Sequence, residues 1–139
     1  MLKWLAEKSL KARVAMCIKE VKWDLQSSSR LARSSILLRA QIFRHQVLQP
    51  HPFAAAVLDR PADFSKAEVS ELYSKLEGMR NEASIGRDRA LKQLKALGAD
   101  TSLVKGNMNT VIRGIELWMC TLGIGINLDN RDEVALLWE

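Results

Sequence analysis

Two histidines, two cysteines and a run of arginines are the residues with which this sequence could do chemistry or grip a charged partner. His45 follows Arg39 by six positions and His51 follows Arg44 by seven. An imidazole can pass a proton near neutral pH, and a guanidinium can hold a phosphate or carboxylate at two points. From Leu25 to Leu58, the only formal charges in 34 residues are Arg30, Arg33, Arg39 and Arg44. Cys17 and Cys120 lie far apart, with no CxxC and no Cys/His grouping. Their expected state is therefore two buried free thiols in a reducing cytoplasm, with a single long-range disulfide as the alternative.

The spacings Arg39-x5-His45 and Arg44-x6-His51 resemble the Arg-x(4 to 6)-His ribonuclease motif of the HEPN superfamily, which comprises small α-helical toxins and nucleases. The resemblance implies that such a pair positions and protonates around a phosphodiester. It covers seven or eight residues. The family places its motif late and follows the Arg with a polar residue, whereas here Ala40 follows Arg39, the pair falls in the second helix and His51 lies beyond Pro50.

Other catalytic or cofactor patterns are absent from the sequence. The two histidines and separated cysteines supply no metal set, and no Ser/His/Asp combination can be nominated. Gly123-Ile124-Gly125 follows a helix and is no phosphate loop. Asn127, Asp129, Asn130 and Asp132 lack the central glycine and the twelfth-position Glu of a calcium loop, so capping is their expected role. No cofactor and no enzymatic activity are expected, with a HEPN-like ribonuclease as the third functional reading.

Charge placement points to partners. The chain of 139 residues carries a net charge of +5, concentrated in its first half: residues 1–58 hold ten Lys or Arg against Glu7, Glu20 and Asp24. Residues 59–139 hold eleven basic and thirteen acidic residues. Such asymmetry suggests a polyanion or an acidic protein surface as partner of the first half.

The elements that would position these groups are helices. Leu10, Val14, Cys17, Ile18, Val21 and Leu25 recur at helical spacing from about Leu2 to Leu25, with Lys8, Arg13, Lys19 and Lys22 off the stripe. Ser27-Ser28-Ser29 offers caps for a second helix ending by Gln49, before Pro50. Its apolar residues form two stripes, Leu31/Leu38/Ile42 and Ala32/Ile36/Phe43/Val47, which predicts a central helix with Arg39 internal. Residues 50–64 hold all three prolines and form the main loop. Ser65 and Glu68 form a capping box with Phe64 and Val69 as its staple. The helix that follows carries Val69, Leu72, Leu76, Met79, Ala83, Ala90 and Leu97, with a kink or break expected near Ser84-Ile85-Gly86 and Gly98 as its C′ residue. Asp100 or Thr101 caps a helix through Val104, Met108, Val111, Ile112, Ile115, Met119 and Leu122, which Gly123 and Gly125 end. Asn130 and Glu133 have capping spacing before a short last helix, Val134 to Trp138.

The expectation is an all-α, single-domain, irregular four- to five-helix bundle: a basic hairpin (2–49), a Pro-containing loop (50–64) and mixed-charge helices (65–138). A cytoplasmic location is expected. MLKWLAEKSLKAR breaks a signal peptide with Lys3, Glu7 and Lys8, and the longest uncharged apolar run, Leu117 to Leu128, is too short for a bilayer of about 30 Å. The leading functional expectation is a non-enzymatic nucleic-acid-binding or nucleoprotein-assembly subunit. Lys11, Arg13, Lys19, Lys22, Arg30, Arg33 and Arg44 would form one surface if the first two helices pair as an antiparallel hairpin. In size, helicity and basicity the chain is similar to the small helical subunits of CRISPR effector complexes, which line a nucleic-acid path. The alternative is a helical adaptor or immunity-type module whose arginines grip an acidic protein.

Overall fold

A computed structural model describes residues 2–48, 66–124, 128 and 130–135 of the chain. These form an all-α bundle: α1 (Leu2–Ser27), α2 (Arg30–Phe43) running into a π-helical turn (Arg44–Leu48), α3 (Lys66–Ala96), α4 (Ser102–Ile124) and the short α5 (Arg131–Ala135). No strand occurs among the described residues. None of their helices is long and apolar enough to cross a membrane.

Local chemistry sets the helix ends. Ser29 caps α2 by accepting the Ala32 N–H on its side-chain oxygen. The α3–α4 connection combines two devices. Gly98 takes a left-handed φ of +70°, which lets the Gly98 and Ala99 N–H groups reach back to the carbonyls of Lys95 and Leu94. The Asp100 carboxylate then accepts from both the backbone and the hydroxyl of Ser102, which holds it below the usual carboxylate range. Asn130 caps α5 in the same manner through the Asp132 and Glu133 N–H groups. Helix α5 occupies Arg131–Ala135, so it starts earlier than the expected Val134. Ser65, Phe64, His51, Trp138 and the loop 50–64 lie outside the described residues. Helix α3 passes through Ser84-Ile85-Gly86 without the expected break.

The centre of the bundle is α4, and α1, α2 and α3 each pack chiefly against it. Every residue from Gly114 to Leu122 is buried. Between Val111 and Leu122 the only charges are Arg113 and Glu116, and they pair with each other at 2.6 Å. With its polar groups satisfied internally, this stretch can be enclosed on all sides.

That arrangement corrects the reading of α2 as the central helix. Its Ala32/Ile36/Phe43 side does face inward, with Ile36 and Ala40 buried. The Leu31/Leu38/Ile42 stripe points outward, with 82% of Leu31 exposed, and Arg39 is exposed rather than internal. Three arginines without an acid on their own helix cannot be enclosed cheaply, so α2 lies at the periphery.

Contact between α2 and α4 is backbone-close. A Cβ added to Gly114 would meet the Ala40 N at 3.2 Å and the Ala40 Cα at 3.5 Å. One turn on, the Trp118 indole N–H donates to the Ala40 carbonyl at 2.5 Å. Near this point α2 changes pitch: the Arg44 N–H is shared between the carbonyls of Ala40 and Gln41, and the chain continues as the π-helical turn. The Arg44 guanidinium lies 5.7 Å from the Trp118 ring centre.

Gly114→Val should therefore destabilise the fold by about 1–3 kcal/mol through overpacking against backbone that cannot yield. Gly78→Val, where a Cβ meets nothing within 4 Å, should cost no more than the modest propensity difference of an exposed helix site. Urea midpoints of the two variants check this; equal midpoints would contradict the close approach.

Candidate nucleic-acid interface

Placed at 100° per residue, α1 buries one side, Val14, Cys17, Val21 and Leu25, against the bundle. Lys8, Lys11, Lys19 and Lys22 fall within about 80° of arc on the other side and span about 21 Å along the axis. Lys8, Lys11 and Lys19 are exposed, and Lys22 is half-buried at the edge nearest α4. Beside this lysine ridge runs a second one made of Met16 and Trp23, a turn pair seven residues apart; 70% of Trp23 is exposed. Met16, Lys19, Glu20, Trp23 and Asp24 line a shallow groove of about 360 Å³.

The acids on this face are accounted for. Asp24 is ion-paired with the Arg113 Nε, and Arg113 also donates to Glu116 at 2.6 Å. Glu20 is exposed at the far edge of the groove, across the Trp23 ridge from the lysines. Among the described residues, Lys11, Lys19 and Lys22 thus lie in one strip, bordered by the apolar and aromatic surface of Met16 and Trp23.

The seven basic residues expected to form one surface divide between helices. Lys11, Lys19 and Lys22 share the α1 strip. Arg13 lies on the opposite side of α1, where it pairs with Glu77 of α3 at 2.9 Å and sits 5.4 Å from the Tyr73 ring centre. Arg30 is exposed on α2, and Arg33 is half-buried beside it; with Ser34 and Leu37 they line a second groove of about 310 Å³. Arg44 is half-buried over Trp118. Helices α1 and α2 dock mainly on α4 rather than on each other, so no antiparallel hairpin merges their charges.

Arg39 and His45 are both exposed, Arg39 on α2 and His45 on the π-helical turn, and neither is among the residues lining the groove beside Arg30 and Arg33. Among the described residues no three His, Cys, Asp or Glu side chains gather as a metal set. Sequence reasoning overlooked Trp23 and Met16. The wheel could have found them, because both fall well outside the Val14/Cys17/Val21/Leu25 stripe.

Beneath the α1 face the interior holds three buried titratable groups, Cys17, Cys120 and Glu116. Cys17 and Cys120 are free and buried; the Cys17 thiol donates to the Glu116 carbonyl at 3.3 Å. Burial pushes both thiols up to about 12, with the nearby Lys22 charge opposing this at Cys120. Burial also raises Glu116 above the usual carboxylate range, against the opposing pull of Arg113.

Comparisons of the chain with family models, with curated proteins and with solved structures find no match.

Glu116 gives a pH prediction. A raised carboxyl pKa means the folded state holds its proton more tightly than the unfolded state does. Its contribution is therefore fully present below the ordinary value of 4.5 and is lost as pH rises through the raised one. The stability of the wild type relative to Glu116→Gln, measured by urea melts, should fall as pH rises above 4.5. A difference that rises with pH would mean that the Arg113 pair outweighs burial.

Proposed function

We propose that this chain is a non-enzymatic nucleic-acid-binding subunit of a nucleoprotein assembly, and that the outer face of α1 receives a single strand. The observation that carries the reading is the pairing of the lysine ridge with an exposed tryptophan on the same helix face. Lys11 and Lys19 supply charge for phosphates, and Trp23 supplies a surface for an unpaired base. Proteins that bind single strands combine these two elements, because every base has a π-face and every phosphate a charge.

The arrangement also favours a single strand over a duplex. A stacked, paired base offers no face to Trp23, whereas an unpaired one can leave its phosphates on the lysine ridge while its ring covers the indole. Glu20, beyond the tryptophan, is placed to accept from an exocyclic amine rather than to meet a phosphate.

Fluorescence anisotropy with labelled single-stranded RNA, single-stranded DNA and duplex DNA tests the reading. Two lysine contacts to a single strand, from Lys11 and Lys19, should reduce the affinity about 7-fold between about 50 and 200 mM salt. Trp23→Ala should weaken binding about 5- to 150-fold, the range for one lost base stack, without changing the urea midpoint. Lys11→Glu with Lys19→Glu should abolish it. Absence of binding at low salt, or a preference for duplex that survives Trp23→Ala, would overturn the proposal.

A further inference from the structure

The α1 face leaves unexplained a stripe of exposed apolar residues on α2. Leu31, at 82% exposed, Leu38 at 56% and Ile42 at 36% all project from α2. Their spacing, seven and then four residues, is that of successive d, d and a positions of a heptad. The intervening a position is Ser35, and the next d position is His45; both are exposed. An apolar side chain left in water on a helix that already buries its opposite side against α4 stabilises nothing in the bundle. A nucleic-acid backbone offers it no partner either.

The charges beside this seam have one sign. Arg30 lies about 100° to one side of its centre and Arg39 about 80° to the other, both exposed. No acid occurs on α2 or on its π-helical turn. The three apolar residues span only about 40° of the helix circumference. That width matches the narrow seam of a helix pair; a helix lying on a lipid surface presents an apolar face of 100° or more.

We propose that the outer face of α2 is a docking seam for an acidic amphipathic helix of a partner protein. Leu31, Leu38 and Ile42 enter the partner's apolar seam, and Arg30 and Arg39 meet carboxylates on its two flanks. Arginine suits this role because its planar fork pairs with a carboxylate at two points while its stem covers apolar surface. This surface lies on a different helix from the single-strand face, so the two can be occupied together, as an assembly subunit requires.

The test uses the full chain and a synthetic four-heptad peptide with leucine at a and d and glutamate at e and g, whose own flank repulsion opposes self-pairing. Its counterpart carries lysine at e and g. The expected result is binding of the glutamate peptide at least tenfold tighter than the lysine peptide. Leu31→Gln with Leu38→Gln should lose that binding while keeping the wild-type urea midpoint, because both side chains are exposed. Arg30→Glu with Arg39→Glu should reverse the preference and bind the lysine peptide. None of these substitutions should alter single-strand binding, so failure here and failure of the α1 reading are separable. Equal binding of the two peptides, or glutamate-peptide binding that survives the leucine substitutions, would overturn the proposal. Sedimentation showing a dimer that Leu38→Gln dissolves would overturn it in favour of a second copy, and capture by phosphatidylserine vesicles without peptide binding would overturn it in favour of a membrane.

Discussion

Enclosure of the C-terminal half of α4 is the constraint on which the rest of the molecule depends. From Gly114 to Leu122 every residue is buried, so other helices must cover this stretch. A helix apolar on every side is stable only when surrounded. Arg113 and Glu116 do not break the rule, because each answers the other and Asp24 answers the remaining guanidinium edge. Three helices serve as the cover, and each contributes one apolar stripe. What each turns outward is then free to differ, and it does. Helix α1 shows lysine and tryptophan, α2 shows arginine and leucine, and α3 shows alternating charge that offers no single-signed face.

The close approach of α2 to α4 shows how a small residue and an aromatic one divide the work. Gly114 removes the side chain that would hold the helices apart, and Trp118 uses the resulting nearness to bond a backbone carbonyl of its neighbour. The Ala40 carbonyl then has the indole and the Arg44 N–H competing for it, at the place where the α-helical ladder of α2 gives way to a wider turn. That pitch change sets where Arg44 lies on the Trp118 face.

Helix identity was legible in the sequence because each long helix carries a periodic stripe and several carry caps. Ser29, Gly98, Asp100 and Asn130 act at helix ends through short-range geometry that needs no knowledge of the fold. The buried stripe of α1 could be read for the same reason. The identity of the central helix could not. Helix α2 has apolar residues on two sides, and only the tertiary arrangement shows that the Ile36/Ala40 side is covered while the Leu31/Leu38 side is not. The unity of the seven basic residues failed on similar grounds. Arg13 was placed by a partner 64 residues away, Glu77, and Arg44 by Trp118 on α4, neither of which local spacing reveals. Tyr73, buried against α1, was hidden among the polar residues of α3 for want of a long-range cue.

The central position of α4 has a consequence for how the chain comes into being. Synthesis delivers α1 and α2 first, yet the helix they pack against arrives last among the four long ones. The Cys17–Glu116 and Ala40–Trp118 contacts span 99 and 78 residues. The emerging chain therefore carries its apolar stripes uncovered until the C-terminal third has left the ribosome. These long-range contacts must form late, and the early, most basic half is the part longest exposed to premature association.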